Sequence, residues 1–157
     1  MSDDNLREVL RQLRLSQDKY TYFLLAAAGA AVGLAINQTH GAAIAWSQVP
    51  LAAAVLCWGL SFFFGCRHLG YVASSLYANA ALLKIQTGKD PEYCSNPEMA
   101  AAAIEGIRMA FESNSDKANK YGHRQFRFLT IGALLYIGWH VWEMVLRTPS
   151  LINKFNL

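Results

Sequence analysis

YTYFLLAAAGAAVGLAINQTHGAAIAWSQVPLAAAVLCWGLSFFFGC, residues 20–66, carries no Asp, Glu, Lys or Arg through 47 consecutive positions. A helix packed in a water-soluble core keeps charges on its wet side, so a run of this length points to hydrocarbon as the solvent. A spanning helix needs about 20 mostly apolar residues, and this run is long enough for two. It breaks at its most polar stretch, Asn37-Gln38-Thr39-His40-Gly41, and Pro50 suits the opening turn of a second helix, where its missing N–H leaves no donor unpaired. The reading is a membrane hairpin: one span over residues 20–36, an outer loop over 37–48 and a second span over 49–66. A buried hairpin in a soluble, Ala-rich bundle is the alternative.

Working outward, residues 1–19 open with Ser2-Asp3-Asp4, a capping and acidic start suited to the positive end of a helix dipole. Leu6, Val9, Leu10 and Leu13 recur at helical spacing, with Arg7, Arg11 and Arg14 on other faces. An amphipathic helix running into the first span is expected. A cleaved signal peptide does not suit a leading segment of this length with four acids.

The first span is built from small residues, and Gly29 and Gly33 stand one turn apart with Ala26 on the same side. Such a G-x-x-x-G face lets another helix backbone come close in lipid. Its partner is a second copy of the chain or this chain's own other spans. Tyr20 and Tyr22 occupy the position of an interfacial aromatic belt, and Trp46 marks the opposite interface.

Beyond the second span, Arg67-His68 is followed by an apolar face of Leu69, Val72, Leu76, Ala80 and Leu83 that ends near Gly88, a C-cap candidate. Between positions 69 and 87 the one formal charge is Lys84. A helix so poor in charge needs a cover, from the other aqueous helices or from neighbouring subunits. Gly88-Lys89-Asp90-Pro91 is turn chemistry, and Ser95-Asn96-Pro97-Glu98 offers a capping box in which Ser95 and Glu98 satisfy each other's backbone donors. The helix that follows puts Ile104, Ile107, Phe111, Ala118 and Tyr121 on one side. Glu105, Arg108, Glu112, Asp116, Lys120, Arg124 and Arg127 fall on the other.

Residues 128–146 form a third candidate span, free of charge as far as Trp142. Glu143 and Arg147 stand one turn apart at its end, and Pro149 is expected to stop the helix. Lys and Arg number four before the first span, eight in the central segment, none in the hairpin loop and two in the tail. The positive-inside rule then puts the amino end and residues 67–127 in the cytoplasm, with the hairpin loop and residues 147–157 outside. The expected fold is an all-α integral membrane protein with three transmembrane helices, whose cytoplasmic extensions form a helical bundle.

Composition agrees with this division: 54% hydrophobic residues, 16% charged, and a mean hydropathy of only +0.16 because half the chain is polar. A net charge of +3 from mixed signs leaves no footprint for a nucleic acid polymer. Cys57, Cys66 and Cys94 are odd in number with no C-x-x-C spacing, and read as small buried hydrophobes. There is no G-x-S-x-G, no phosphate-cradling Gly loop and no H-E-x-x-H, so neither enzyme activity nor a cofactor or metal is expected.

Two groups of polar residues remain. His140 and Glu143 share a face near the outer end of the third span, and ionisable groups at membrane depth are candidates for ion or proton handling. They also lie near the interface, where water and Arg147 can satisfy them. Arg67, His68, Lys117, Lys120, Arg124 and Arg127 form a basic cluster, suited either to lipid headgroups or to an anionic nucleotide or phosphate.

Ser16-Gln17-Asp18-Lys19 leads into the Ala/Gly-rich first span, and Asn114-Ser115 through Lys120-Tyr121 leads toward the last. In these pieces, and in the layout of two spans, a helical segment of some sixty residues and a terminal span, the chain resembles the small membrane effectors of bacterial cyclic-nucleotide anti-phage systems (the Pycsar transmembrane type). The resemblance implies a homo-oligomer in the bacterial inner membrane that acts in antiviral defence, disrupting the membrane or forming a pore when an infection signal is sensed in the cytoplasm. The partners expected are membrane lipid, further copies of the chain, and a cytoplasmic nucleotide signal or protein. The alternative function is a structural or accessory subunit whose cytoplasmic helices dock another protein.

Overall fold

The structure, a computed structural model, describes residues 3–40, 46–90, 93 and 96–155, with side chains for 8, 9, 11–13, 15–40, 46–90, 93 and 96–146. Ser2, Gly41, Pro91, Cys94 and Ser95 lie outside the described residues. Among the described residues the fold is built on three long helices, α1 (Asp3–Thr39), α2 (Val49–Gln86) and α3 (Pro97–Phe155), with a 3-10 turn, Trp46–Gln48, before α2. No strand occurs among the described residues.

Each helix joins segments of different character without a break. The amphipathic start and first span are one helix of 37 residues. The second span continues through the under-charged segment as a helix of 38 residues. The charged segment and third span form one helix of 59 residues. At ~1.5 Å per residue, α3 is about 90 Å long, some three times a hydrocarbon core of about 30 Å. The stretches Arg11–Thr39, Trp46–Gln86 and Pro97–Leu146 are each long and apolar enough to cross a membrane.

Pro149 does not stop α3, which continues to Phe155. Proline removes one N–H bond, the one that would reach the Val145 carbonyl, but each of the residues after it still has a carbonyl four positions back. At the start of α3, Ser95 of the expected capping box lies outside the described residues, and the cap that is described comes from its neighbour. Asn96 is the cap: its Oδ1 accepts from the N–H of Glu98 at 3.1 Å and of Met99 at 3.3 Å, with Pro97 as the first helical residue. Asn96→Ala is expected to lower stability by about 1 kcal/mol and Asn96→Asp to leave it nearly unchanged. Thermal unfolding in detergent reads the difference, and identical midpoints for Asn96→Ala and the parent would remove the cap.

The end of α2 closes as expected at Gly88, whose φ is +64°. The Lys89 N–H bonds to the Lys84 carbonyl at 3.0 Å and the Gly88 N–H to the Ile85 carbonyl at 3.1 Å. This crossed pair is a Schellman motif, and glycine holds its left-handed position without a Cβ clash.

The chain divides into two compact units, Met1–Phe63 with Arg124–Leu157, and Phe64–His123. In the first, α1 buries Thr21, Leu24, Ala28 and Ala35, α2 buries Leu51, Ala54, Trp58 and Ser61, and α3 buries Gln125 and Gly132. Steps of three and four alternate along these seams, the 3.5-residue repeat of left-handed helix packing. The seam residues are mostly small. Between helices in lipid, close packing and hydrogen bonds replace the hydrophobic drive, and small side chains permit both.

Trp58 fills the middle of this unit. Its ring lies 5.6 Å from that of Tyr136, and its neighbourhood takes in Val32, Ala35, Leu51, Val55 and Leu129. Buried hydroxyls are satisfied: Ser61 Oγ donates to the Gln125 carbonyl at 2.8 Å, and Thr21 Oγ1 to its own helix at Gln17. Tyr136 Oη donates to Gln38 Oε1 at 2.8 Å, tying α3 to the end of α1.

The second unit is a helical hairpin. Along α2, Gly65 and Ser75 are buried with His68 and Val72 half-buried between them. Along α3, Ala118 is buried, with Ile104, Ile107, Asn114 and Tyr121 half-buried. The seam on α2 thus departs from the apolar face read in the sequence. Leu69 and Val72 are half-buried, but Ser75 takes the buried place and Leu76, Ala80 and Leu83 are exposed. Both stripes step by three and four, so they differ by an offset of one residue, about 100° around the helix, which contacts with α3 settle and local spacing does not.

Candidate functional site: a cationic platform on stacked tyrosines

Within the second unit, Tyr71 of α2 and Tyr121 of α3 stack at 5.4 Å with their rings 16° from parallel. Both are half-buried, and Phe64, two turns before Tyr71, lies 5.9 Å from Tyr121. The seam sets this up: Tyr121 occupies a seam position on α3, and Tyr71 is placed beside Val72 on α2. Two cations gather on this pair. The Arg67 guanidinium carbon is 5.3 Å from the Tyr71 ring centre and 5.8 Å from that of Tyr121, while Lys117 Nζ is 5.7 Å from the Tyr71 ring. Arg67 Nη2 also donates to Tyr71 Oη at 3.1 Å.

No carboxylate among the described residues lies within ion-pair distance of Arg67 or Lys117; Glu8 pairs with Arg11 and Glu112 with Arg108. Ring faces attract cations through the quadrupole, which holds both side chains in place without neutralising either.

His68, grouped with these residues in sequence, has a different task. Its Nδ1 lies 2.7 Å from the Ala118 carbonyl. A carbonyl only accepts, so Nδ1 carries the proton and donates to it. His68 is therefore a clamp between α2 and α3. Lys120 is exposed on α3 in the same unit, and Arg124 and Arg127 are exposed residues of the first unit. Sequence spacing alone pointed to all six basic residues; the structure brings Arg67 and Lys117 together. The sequence reading missed Tyr71 and the part played by Tyr121, and the one available signal was Tyr71 four residues after Arg67.

A second polar group lies in the first unit. A cleft of about 240 Å³ is lined by Gln38, Trp139, His140, Glu143 and Met144. His140 and Glu143 share it as their spacing suggested, and the His140 ring is nearly parallel to that of Tyr136 at 6.4 Å. Trp139 Nε1 is buried there without a partner. The side chain of Arg147, expected to pair with Glu143, lies outside the described side chains.

Gly29 and Gly33 face open space among the described residues, with nothing within 4 Å of a Cβ built at either. Ala26 is exposed as well, so the chain's own helices do not cover this face. Cys57 is half-buried and Cys66 exposed, both as free thiols, which corrects the expectation of burial for Cys66. At the amino end, Glu8 accepts from Arg11 and Gln12, and these bonds, Arg11 first, hold its carboxyl below the usual range.

These features define a class: an all-helical protein with three helices able to cross a membrane and a helical hairpin that presents an uncompensated cation pair. The chain matches no protein-family model, no characterised protein and no solved structure.

Proposed function

We propose that this chain is a multi-pass protein of the bacterial inner membrane that works as an assembly of several copies. Its amino end and residues 67–127 face the cytoplasm and its tail faces outward, the orientation favoured by its Lys and Arg distribution. The observation that carries the reading is the uncovered apolar surface of the second unit. Leu76, Tyr77 and Leu83 on α2 and Met109 on α3 are all more than two-fifths exposed. On the proposed topology these side chains stand in water, where contiguous apolar surface marks a contact with another chain. The open Gly29/Gly33 face supports the same conclusion within the membrane.

Membrane disruption from the cytoplasmic side, the activity implied by the resemblance to anti-phage effectors, is the role this assembly would serve. The chain purified in mild detergent is expected to have a protein mass at least twice its 17.4 kDa. Leu76→Glu/Leu83→Glu is expected to return it to the single-chain mass with helix content unchanged. A parent protein of single-chain mass at every concentration would overturn the reading in favour of an accessory subunit covered by a different protein. Expression together with its genomic neighbours is expected to collapse the membrane potential on infection; an intact potential would remove the disruptive role and leave the assembly.

A further inference from the structure

We propose that Arg67 and Lys117, held over Tyr71 and Tyr121, form a binding site for the phosphate group of an anionic phospholipid. The site stands whether or not copies of the chain assemble. Two like charges share one aromatic surface with no carboxylate in reach. An anion seated between them relieves that repulsion and adds charge-assisted hydrogen bonds. Arg67 is exposed and makes one hydrogen bond, to Tyr71, so most of its five N–H donors remain for an incoming oxygen. Stacking fixes the guanidinium plane beforehand, and a planar fork matches two phosphate oxygens.

Position in the chain selects a lipid as the source of that phosphate. Arg67 is the first formal charge after the 47 uncharged residues at 20–66, and Phe64 lies one turn before it. A phospholipid whose headgroup meets Arg67 would find apolar helix where its acyl chains must lie. A water-soluble phosphate would gain nothing from that neighbour.

The test uses the full chain in non-ionic detergent, with native mass spectrometry counting retained molecules. The probes are dioleoyl phosphatidylglycerol, dioleoyl phosphatidylcholine and glycerol 1-phosphate. The parent is expected to retain phosphatidylglycerol in preference to phosphatidylcholine and not to retain glycerol 1-phosphate. Arg67→Gln/Lys117→Gln is expected to weaken phosphatidylglycerol binding by about tenfold or more. Arg67→Lys, which keeps the charge and loses the planar fork, is expected to fall between them. Thermal unfolding without lipid confirms that each variant folds. Retention of phosphatidylglycerol by the double variant at parental affinity would overturn the site. So would equal retention of the two lipids by the parent. Glycerol 1-phosphate binding that depends on Arg67 while phosphatidylglycerol does not bind would overturn the lipid as source.

Discussion

Gly132→Ala is expected to destabilise the three-helix unit by about 3 kcal/mol, although helix propensity alone favours alanine over glycine by about 1 kcal/mol. A Cβ at position 132 would lie 2.6 Å from both Cδ1 and Nε1 of Trp58 and 3.1 Å from the Ala54 carbonyl oxygen. Favourable carbon contacts lie at about 3.5–4.0 Å, so either the indole or the α2 backbone must move. The indole has little room: Trp58 is 4% exposed and packs against the Tyr136 ring. The overlap therefore outweighs the propensity gain.

Gly138→Ala, on the same helix with nothing within 4 Å of the added carbon, supplies the control and is expected to be neutral or slightly stabilising. Thermal unfolding in detergent, followed by far-UV circular dichroism, compares them. Gly132→Ala/Trp58→Phe should recover part of the loss, a coupling expected only of residues in contact. Equal midpoints for Gly132→Ala and Gly138→Ala would show that α3 does not approach Trp58 as described.

Gln125→Met is expected to move stability the other way, upward by about 1–3 kcal/mol. The Gln125 side chain is 1% exposed and its Nε2 has no hydrogen-bond partner. A buried amide without a partner forgoes its solvation and gains nothing in exchange. Methionine is also unbranched and of similar length and helix propensity, so little else changes. Ser61 stays satisfied in the variant, because its hydroxyl bonds to the Gln125 main-chain carbonyl and not to the side chain. The same unfolding experiment measures the shift. A lower midpoint for Gln125→Met would mean that the amide is bonded in the folded protein, and the account of its cost would be wrong.

The two expectations differ in how readable they are from the sequence. Gly132 stands within an apolar run like Gly138, and nothing in the string separates one from the other. Their difference is the indole of Trp58, which is 74 positions away. Gln125 falls between the charged residues Arg124 and Arg127 and reads as part of a solvated face. Only the 3.5-residue repeat through Ala118, Gln125 and Gly132 reveals it as a seam position.

The cationic platform was legible by halves. Basic residues at the end of an uncharged run announce themselves, so Arg67 and Lys117 were among the candidates. That these two meet on one ring, while His68 is engaged by the Ala118 carbonyl, depends on the register of α2 against α3. Register across 50 residues of intervening chain leaves no mark in local spacing.

The amino-acid string by itself determined the number of long helices, the connections between them and their apolar stretches. Charge distribution, Pro97 at the start of α3 and Gly88 at the end of α2 are local properties, and each acts within a turn or two of where it stands. Tertiary structure decided which face of each helix is buried, because that choice rests on contacts between distant segments, and an offset of one residue turns the stripe by about 100° without changing its period. It therefore buried Ser75 in place of Leu76 and left the Gly29/Gly33 face open. It also set two cations on a pair of stacked tyrosines.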